Sequence, residues 1–259
     1  MGYENIIYEK KDGIAYIKLN RPKALNALST LPIIEMDDAM SDFEKDQNVK
    51  VAILSGEGKA FAVGADIAAM QDMYLIEGLE YAKLGHDTFR HMEKIRKPII
   101  AAIHRFAMGG RFEITLACDL RIAAADTKFA LPEVGLGLTP GFGGTQRLPR
   151  LIGETKAKEL IYTAKTFDAE EALSLGVLNK VVPLENLMEE AEKLAKTIMS
   201  KSTLAVGFVK DAINRGKDLD IDSAVNLENI YVGMCFSTED FHEGMTAFLE
   251  KRKPVFKEK

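Results

Sequence analysis

Short apolar segments alternate with a helical pattern in the first half of the chain. Residues 15–19 and 51–54 are apolar runs that end in turn-forming residues, as strands do, and residues 29–43 between them have the apolar spacing of a helix. Two further apolar runs, Ile99–Ile103 and Leu120–Ala124, flank a short segment with helical spacing. Repeated strand–helix–strand units predict an α/β fold.

The second half of the chain is predominantly helical after one more strand. Asp168 is suited to cap a helix over residues 169–175, Gly176 to end it, and residues 177–182 return as a strand. Beyond Pro183 the apolar spacing predicts helices over residues 187–199, 204–214 and 221–236, and a last helix through Glu250. We therefore predict a core domain over residues 1–195 and a helical region over residues 196–259.

The helical region also predicts a subunit interface. Its third helix carries a longer apolar stripe than one core-facing edge needs, formed by Ile221, Ala224, Val225, Leu227, Ile230 and Tyr231. An exposed apolar surface of that kind marks an interface, so we expect a homo-oligomer.

Composition argues against several classes of function. The 259 residues carry 34 Lys and Arg against 39 Asp and Glu, with no basic stripe of the kind that nucleic-acid binding requires. No apolar stretch is as long as a membrane-spanning helix, and the N-terminal residues lack the pattern of a signal peptide. Cys118 and Cys235 are expected to be two buried thiols rather than a disulfide. These features predict a cytoplasmic protein without a nucleic-acid or membrane partner.

Two glutamates interrupt otherwise apolar, glycine-containing segments. Glu113 follows Gly109-Gly110, and Glu133 lies in the segment from Leu131 to Gly137. A buried carboxylate is costly unless it is hydrogen-bonded, paired or protonated, and such surroundings also tune a carboxyl group for proton transfer. The pair is therefore the first candidate for acid–base chemistry.

Each glutamate also has a structural interpretation. Glu113 could form an ion pair with Arg111 or Arg121, and Glu133 could fix the loop that follows Pro132. The residues alone leave both interpretations open.

Two small-residue turns precede helical segments. Gly64-Ala65 and Gly109-Gly110 each follow a strand-like run, so their backbone N–H groups would be free of secondary structure. Two such turns can aim two N–H groups at one point, with the helix dipole assisting, and so stabilise a developing oxyanion. Glycines before helices also occur for steric reasons, so each turn alone is weak support for a site.

Four segments and the C-terminal tail together resemble the crotonase (enoyl-CoA hydratase) family across essentially the whole chain. The matching segments are residues 19–28, 58–67, 97–102, 140–148 and 245–252, and residues 140–148 read Pro-Gly-Phe-Gly-Gly-Thr-Gln-Arg-Leu. Within that family the chain is most similar to bacterial short-chain hydratases that act on crotonyl-CoA in fatty-acid breakdown or butyrate formation.

The resemblance implies a crotonase-like spiral of ββα units whose C-terminal helices form a homotrimer, commonly doubled to a hexamer. It implies that Glu113 activates a water for attack at Cβ of an enoyl-CoA thioester while Glu133 delivers a proton to Cα, with the roles exchanged in the reverse dehydration. The thioester oxygen would lie between the N–H groups of Ala65 and Gly110. The coenzyme A thioester is then the substrate, and no metal or redox cofactor is expected.

The family match also marks residues expected to contact the substrate. Lys59, Phe248 and Lys251 match positions near the adenine and phosphates of the coenzyme. Gly141 belongs to a segment beside the water site, which lacks the lysine of a phosphate-binding loop. The remaining expected contacts are Lys23, Ala24, Leu25, Val63, Asp66 and Ile67. We interpret Asp66 as an acid that stabilises the start of a helix rather than as a catalytic group. The four histidines share no metal-ligand spacing, so no metal site is predicted.

Three residues depart from the family pattern. His104-Arg105 stands where relatives typically have Asn-Gly, and Arg111 stands where they have a third glycine before the acid. If Arg111 reached Glu113, it would depress the pKa of that carboxyl. One hypothesis is that Arg111 enters the acyl end of the site and recruits a substrate with a distal carboxylate, such as glutaconyl-CoA. The other is that it pairs with a nearby acid and that crotonyl-CoA is the substrate.

Three functions therefore stay open at the level of sequence. They are a short-chain enoyl-CoA hydratase, a crotonase-fold isomerase or acyl-CoA hydrolase, and a non-catalytic assembly protein with a disabled site. The presence of both acids favours the hydratase, because an isomerase or hydrolase would tolerate the loss of one. Arg105 and Arg111 keep the third function open.

Overall fold

Two β-sheets organise the part of the chain that the computed structural model describes, residues 2–24, 26–58, 61–63 and 70–259. The larger sheet consists, in spatial order, of β1 (Ile6–Lys11), β2 (Ile14–Leu19), β3 (Val51–Gly56), β5 (Ile99–Ile103), β7 (Leu120–Ala124) and β10 (Lys180–Val182). The first two strands form an antiparallel hairpin, and the other neighbours are parallel. Parallel neighbours need crossover connections, which the helices supply.

The smaller sheet consists of β4 (Ala62–Val63), β6 (Phe106–Met108), β8 (Lys128–Ala130) and β9 (Phe167–Asp168). Its strands are parallel except for the antiparallel pair β8 and β9. Along the chain β3, β5 and β7 are each followed by a strand of the smaller sheet and then by a helical segment. This order is the predicted repeat of ββα units, and the predicted α/β spiral is confirmed.

The described residues also form ten α-helices. They are α1 (Thr30–Lys45), α2 (Leu75–Lys94), α3 (Gly110–Ala117), α4 (Gly144–Ile152), α5 (Glu154–Tyr162), α6 (Ala169–Ser174), α7 (Leu187–Met199), α8 (Thr203–Gly216), α9 (Ile221–Phe236) and α10 (Glu239–Leu249). Side-chain caps explain several starts: the Asp168 carboxylate accepts from the Glu171 amide and the Asp220 carboxylate from the Ser223 amide. None of the described helices is long and apolar enough to span a membrane.

The larger sheet carries a hydrophobic cluster on each face. Along β3, Val51 and Ile53 join one cluster and Ala52 and Leu54 the other, as the two-residue period of a strand requires. The first cluster is covered by α7. The second is the larger core, and it continues into α1, α3 and the smaller sheet. The sheet is therefore buried on both faces, which is typical of parallel sheets.

Several predicted bounds agree with the structure, and one strand is shorter than predicted. β5, β7, α7 and α9 have the predicted bounds. The strand predicted over residues 177–182 covers only Lys180–Val182, because the amides of Val177 and Leu178 donate to the Ala172 carbonyl and complete the end of α6.

Two other predictions of the sequence concern the thiols and the domains. Cys118 and Cys235 are free thiols, as predicted, but only Cys118 is buried and Cys235 is partly exposed. The predicted boundary at residue 195 falls within α7. The division into two domains stays a prediction.

Candidate active site

A cavity of about 580 Å³ opens between the first half of α2 and the loops that follow β6 and β8. Its wall is mostly apolar and includes Met73, Leu79, Tyr81, Leu136, Leu138 and Phe142. Glu113 and Glu133 line it together with Gly110 and Gly141. The structure thus brings both glutamates and two of the predicted glycines into one cavity of the size that small-molecule sites have.

Glu113 lies in the first turn of α3 and is only 1% exposed. Its Oε1 accepts hydrogen bonds from the backbone amides of Phe142, at 2.8 Å, and Gly144, at 2.6 Å. The pKa of this carboxyl is raised to about 7, chiefly by burial. The nearby Glu133 also acts to raise this pKa, and the two amides act to lower it. A pKa near neutrality suits a general base that must be both ionised and basic.

The loop from Gly141 to Gly144 is shaped to reach the Glu113 carboxylate. Gly143 has a φ of +101°, which favours glycine, and α4 begins at the next residue. A Cβ on Gly144 would lie 2.9 Å from Glu113 Oε1, so only glycine lets this amide approach the acid. The guanidinium of Arg147 donates to the Phe142 carbonyl at 2.8 Å and to both carboxylate oxygens of Glu93.

Glu133 begins a 3-10 turn, Glu133–Leu136, that ends at Gly137 with a φ of +75°. Burial raises the pKa of its half-buried carboxyl group. Its Oε2 is buried and has no hydrogen-bond partner among the described residues. Backbone hydrogen bonds hold the loop, including one from the Leu138 amide to the Glu133 carbonyl at 3.1 Å. The carboxyl group is therefore available to a molecule in the cavity.

Gly110 is the first residue of α3, and its amide belongs to the helical turn whose N–H groups lack intrahelical acceptors. The preceding Gly109 has a φ of +58°, a conformation that turns the chain from β6 into the helix. Gly110 also lines the cavity, so an amide without an intrahelical acceptor lies at the cavity wall, with the helix dipole behind it. Ala65, the second predicted donor, lies outside the described residues.

The predicted coenzyme contacts are only partly described. Leu25, Lys59, Asp66 and Ile67 lie outside the described residues. Lys23 and Ala24 lie in the 3-10 turn Pro22–Ala24, and Val63 lies in β4 beside Met108 of β6. Phe248, at the end of α10, is 81% exposed, and Lys251 is exposed two residues beyond that helix. Neither Phe248 nor Lys251 is among the described residues that line the cavity.

Neither predicted behaviour of Arg111 is seen among the described residues. Its side chain is 1% exposed and does not belong to the described cavity wall. Among the described residues its Nε and Nη1 have no hydrogen-bond partner, so it does not pair with an acid through them. Burial lowers the pKa of this guanidinium to about 9. Burial is the largest cause of the raised pKa of Glu113, and Arg111 is not among the main groups that shift it.

Arg121 does not pair with Glu113 either. Its guanidinium donates to the backbone carbonyls of Val177, Thr115 and Cys118. Among the described residues, the hydrogen-bond partners of the Glu113 carboxylate are the backbone amides of Phe142 and Gly144, so the ion-pair interpretation of Glu113 is wrong for this part of the chain.

The His104-Arg105 turn lies at a different cleft. Arg105 has a φ of +56°, a conformation that glycine adopts more easily, and its exposed side chain lies 3.7 Å from the Asp126 carboxylate. The cleft beside it has a volume of about 1060 Å³ and is also lined by Lys18 and Met188, but by neither glutamate. Arg105 therefore leaves the acid pair undisturbed.

Sequence reasoning missed two groups around the acids. One is α2, which supplies the cavity wall from Tyr74 to Ala82. The other is the Arg147–Glu93 ion pair. The segment Pro-Gly-Phe-Gly-Gly-Thr-Gln-Arg contained the signal for Arg147, because it ends in that arginine four residues after a glycine turn. His, Cys, Asp and Glu side chains form no cluster of three suited to a metal ion among the described residues.

The ββα spiral, and the two carboxyl groups at one apolar cavity beside the glycine start of a helix, are the fold and the site that the resemblance to the crotonase family predicts. The family model described as enoyl-CoA hydratase/isomerase matches residues 9–259. The chain belongs to the enoyl-CoA hydratase/isomerase family.

Individual relatives cover nearly the whole chain. It is 51% identical to the crotonyl-CoA hydratase of Syntrophomonas wolfei over 257 residues, which are 99% of each protein. It is 50% identical to the short-chain-enoyl-CoA hydratase of Clostridium acetobutylicum, over 98% of this chain and 97% of that protein. The crystal structure of an enoyl-CoA hydratase from Bacillus anthracis superimposes with a TM-score of 0.95 at 38% identity, over 99% of this chain and 100% of that one.

Proposed function

We propose that the protein is an enoyl-CoA hydratase that adds water reversibly, with syn stereochemistry, to short-chain trans-2-enoyl-CoA thioesters such as crotonyl-CoA. Two relatives that are 51% and 50% identical to this chain are named crotonyl-CoA hydratase and short-chain-enoyl-CoA hydratase, which supports this substrate class. The observation that carries the proposal is the pair Glu113 and Glu133 in one apolar cavity, each with a pKa that burial raises. Such a pair can divide the roles of base and acid.

Glu113 acts as the base in the direction of hydration. Its ionised carboxylate takes a proton from a water molecule, and the water oxygen forms a bond to Cβ. The electron pair of the C=C bond moves toward the thioester, so negative charge develops on the carbonyl oxygen. The Gly110 and Ala65 amides stabilise that charge.

Glu133 acts as the acid. In its protonated form it delivers a proton to Cα and completes the 3-hydroxyacyl thioester. The proton taken by Glu113 returns to Glu133 through solvent before the next turnover. In the dehydration the two residues exchange roles. These steps need neither a metal ion nor a redox cofactor, because acid–base groups and backbone amides supply each of them.

The coenzyme and the subunit arrangement complete the proposal. The substrate is held by Lys23, Ala24, Leu25, Lys59, Val63, Asp66, Ile67, Gly141, Phe248 and Lys251. The exposed positions of Phe248 and Lys251, away from the cavity of their own chain, suit contact with a substrate bound to a neighbouring subunit. The protein works as a homotrimer or a dimer of trimers in the cytoplasm.

The ultraviolet absorbance of crotonyl-CoA tests the activity. Hydration removes the conjugated enoyl thioester, so absorbance falls when the protein is added. An unchanged spectrum would support the assembly protein instead, and loss of the thioester or migration of the double bond would support a hydrolase or an isomerase.

Single substitutions test the two-carboxyl mechanism. We expect Glu113→Gln and Glu133→Gln each to slow hydration by about a hundredfold or more, the usual contribution of a general acid or base. Glu9→Gln, on the exposed end of β1, is the control that should keep full activity. Near-normal turnover by either site variant in the folded state would rule the mechanism out.

A further inference from the structure

The Phe142 ring is wedged between α2 and α3. A Cβ on Gly85 of α2 would lie 2.5 Å from Phe142 Cε1, and a Cβ on Gly110 of α3 would lie 2.7 Å from Cδ2. The ring makes T-shaped contacts with the rings of Tyr81 and Phe89, with centroids 5.2 and 5.6 Å apart. The ring is therefore held on opposite sides by glycines, at Cδ1 and Cε1 by Gly85 and at Cδ2 and Cε2 by Gly110, and it packs against two aromatic side chains.

The backbone of the same residue is held at both polar groups. The Phe142 amide donates to Glu113 Oε1 at 2.8 Å, and the Phe142 carbonyl accepts from Arg147 Nη1 at 2.8 Å. Arg147 is in turn fixed by Glu93, to which it donates at 2.7 and 3.1 Å. The position of the ring and the direction of the amide are thus set together.

Gly85 of α2 leaves the space that the Phe142 ring occupies, at a cost to the stability of the helix. A glycine inside a helix destabilises that helix by about 0.5–1 kcal/mol relative to alanine. Gly85 lies in the middle of the twenty-residue helix α2, and its φ is not among the positive values that would require glycine. The space that a side chain would occupy is filled by the Phe142 ring.

We propose that Phe142 is a positioning residue for the acid–base reaction: its ring, clamped between Gly85 and Gly110, fixes the backbone amide that orients the Glu113 carboxylate. The inference rests on the proposed function, since it assigns Glu113 as the base. Phe142 acts through Glu113 and does not itself exchange a proton.

Two variants disturb the clamp from opposite sides. Gly85→Ala pushes the ring out of its slot, and Phe142→Ala removes the ring. Each should lower kcat by about tenfold or more, since displacements of about 1 Å at a reacting group have effects of that size, with KM changed by less than about threefold. The acid limb of the kcat/KM profile should move up by about one pH unit, because Glu113 loses an amide that stabilises its ionised form.

The double variant and a matched control separate positioning from core packing. Once the ring is gone, Gly85→Ala has nothing to displace, so Gly85→Ala with Phe142→Ala should be no slower than Phe142→Ala alone. Phe129→Ala removes a buried ring from the same core, so it should lower stability. Its kcat should stay within about twofold of the native value, and the acid limb of its pH profile should stay at the native pH. If Phe142→Ala does not fold, Phe142→Leu replaces it.

Three results would overturn the inference: native kcat and pH profile in folded Gly85→Ala and Phe142→Ala, additive losses in the double variant, or an equal shift in Phe129→Ala. Failure of the inference is distinct from failure of the proposed function. An inactive Glu113→Gln beside a fully active Phe142→Ala removes only the positioning role. A fully active Glu113→Gln removes the mechanism itself.

Discussion

Glu113 combines almost complete burial with two amide hydrogen bonds on one oxygen. Burial favours the protonated carboxyl, while the amides favour the carboxylate. The pKa is raised to about 7, so the effect of burial is the larger one. The folded protein therefore holds this proton more tightly than the unfolded chain, in which a glutamate titrates at its ordinary pKa.

That difference makes stability depend on pH. Between about pH 4.5 and pH 7 the folded state binds more protons at Glu113 than the unfolded state, so the free energy of unfolding falls as pH rises through this window. Gln at this position does not titrate. The difference in free energy of unfolding between Glu113→Gln and the native protein should therefore increase by about 3 kcal/mol in favour of the variant from pH 4.5 to pH 7. Above pH 7 we expect little further change. Urea unfolding at several pH values measures this, and a constant difference would contradict it.

Arg111 is a buried cation that lacks hydrogen-bond partners at Nε and Nη1 among the described residues. Desolvation of a charge without compensation destabilises a fold. We expect Arg111→Met, which keeps an unbranched stem and removes the guanidinium, to raise the free energy of unfolding by about 1 kcal/mol or more.

Arg121→Met is the matched control. Arg121 is also buried, but its guanidinium donates to three backbone carbonyls, which the substitution would leave without these donors. We expect Arg121→Met to lower the free energy of unfolding by about 2 kcal/mol or more. Urea unfolding of both variants gives the comparison, and equal destabilisation would mean that Arg111 is as well compensated as Arg121.

At the scale of single elements, the start of α3 determines where the Gly110 amide points. Gly110→Pro removes this N–H, and proline is tolerated at the first position of a helix. Gly110→Ala keeps the N–H, and both substitutions add a Cβ that meets the Phe142 ring. We expect the proline variant to hydrate crotonyl-CoA about a hundredfold more slowly than the alanine variant, once circular dichroism shows that both are folded. Equal rates would refute the amide as an oxyanion donor.

Elements with a clean period were predictable, and those without one were not. β5 and β7 are uniform apolar runs, and α7 has a regular apolar face, so sequence alone placed their bounds. α2 was not predicted, because Leu75, Ile76 and Leu79 are exposed and Gly85 interrupts its buried side. The apolar residues of its first half line a cavity, and only its second half places side chains such as Phe89 and Met92 in the core. A pattern that assumes one continuous core face therefore does not detect this helix.

The residues of the candidate site were predictable from the sequence, but the hydrogen bonds that connect them were not. The glycine-flanked glutamates and the residues after β6 were found from their unusual local sequence. The partners of Glu113 lie 29 and 31 positions further along the chain and act through backbone amides, which carry no sequence signal. The burial of Arg111 was likewise not predictable, since an arginine beside a catalytic acid is usually solvated or paired.

The whole molecule exposes apolar side chains along α9 and α10. Ile221, Val225, Ile230 and Phe248 are each more than half exposed, which a folded monomer rarely maintains as one surface. Tyr231, predicted as part of this stripe, instead belongs to the subunit core. It stacks on Phe208 with ring centroids 5.3 Å apart and donates to the Asp211 carboxylate.

We expect light scattering to give three or six times the chain mass of 28.6 kDa. Ile230→Lys places a charge on the exposed stripe and should lower that mass at micromolar concentration. Leu173→Lys, at an exposed apolar position on α6, should leave it unchanged. A monomeric native protein at this concentration would contradict the predicted assembly.

Under the proposed function, selection of the acyl-chain length and proton transfer both depend on one helix, α2. This helix lines the cavity through Gly78, Leu79 and Ala82, and about one turn further along its Gly85 lies against the Phe142 ring. An outward shift of α2 that admits a longer acyl chain would therefore also release the ring. Evolution or engineering can widen the cavity without this penalty only by shortening wall side chains such as Leu79. Selection for broad substrate range and selection for speed would then act on the same helix in opposite directions.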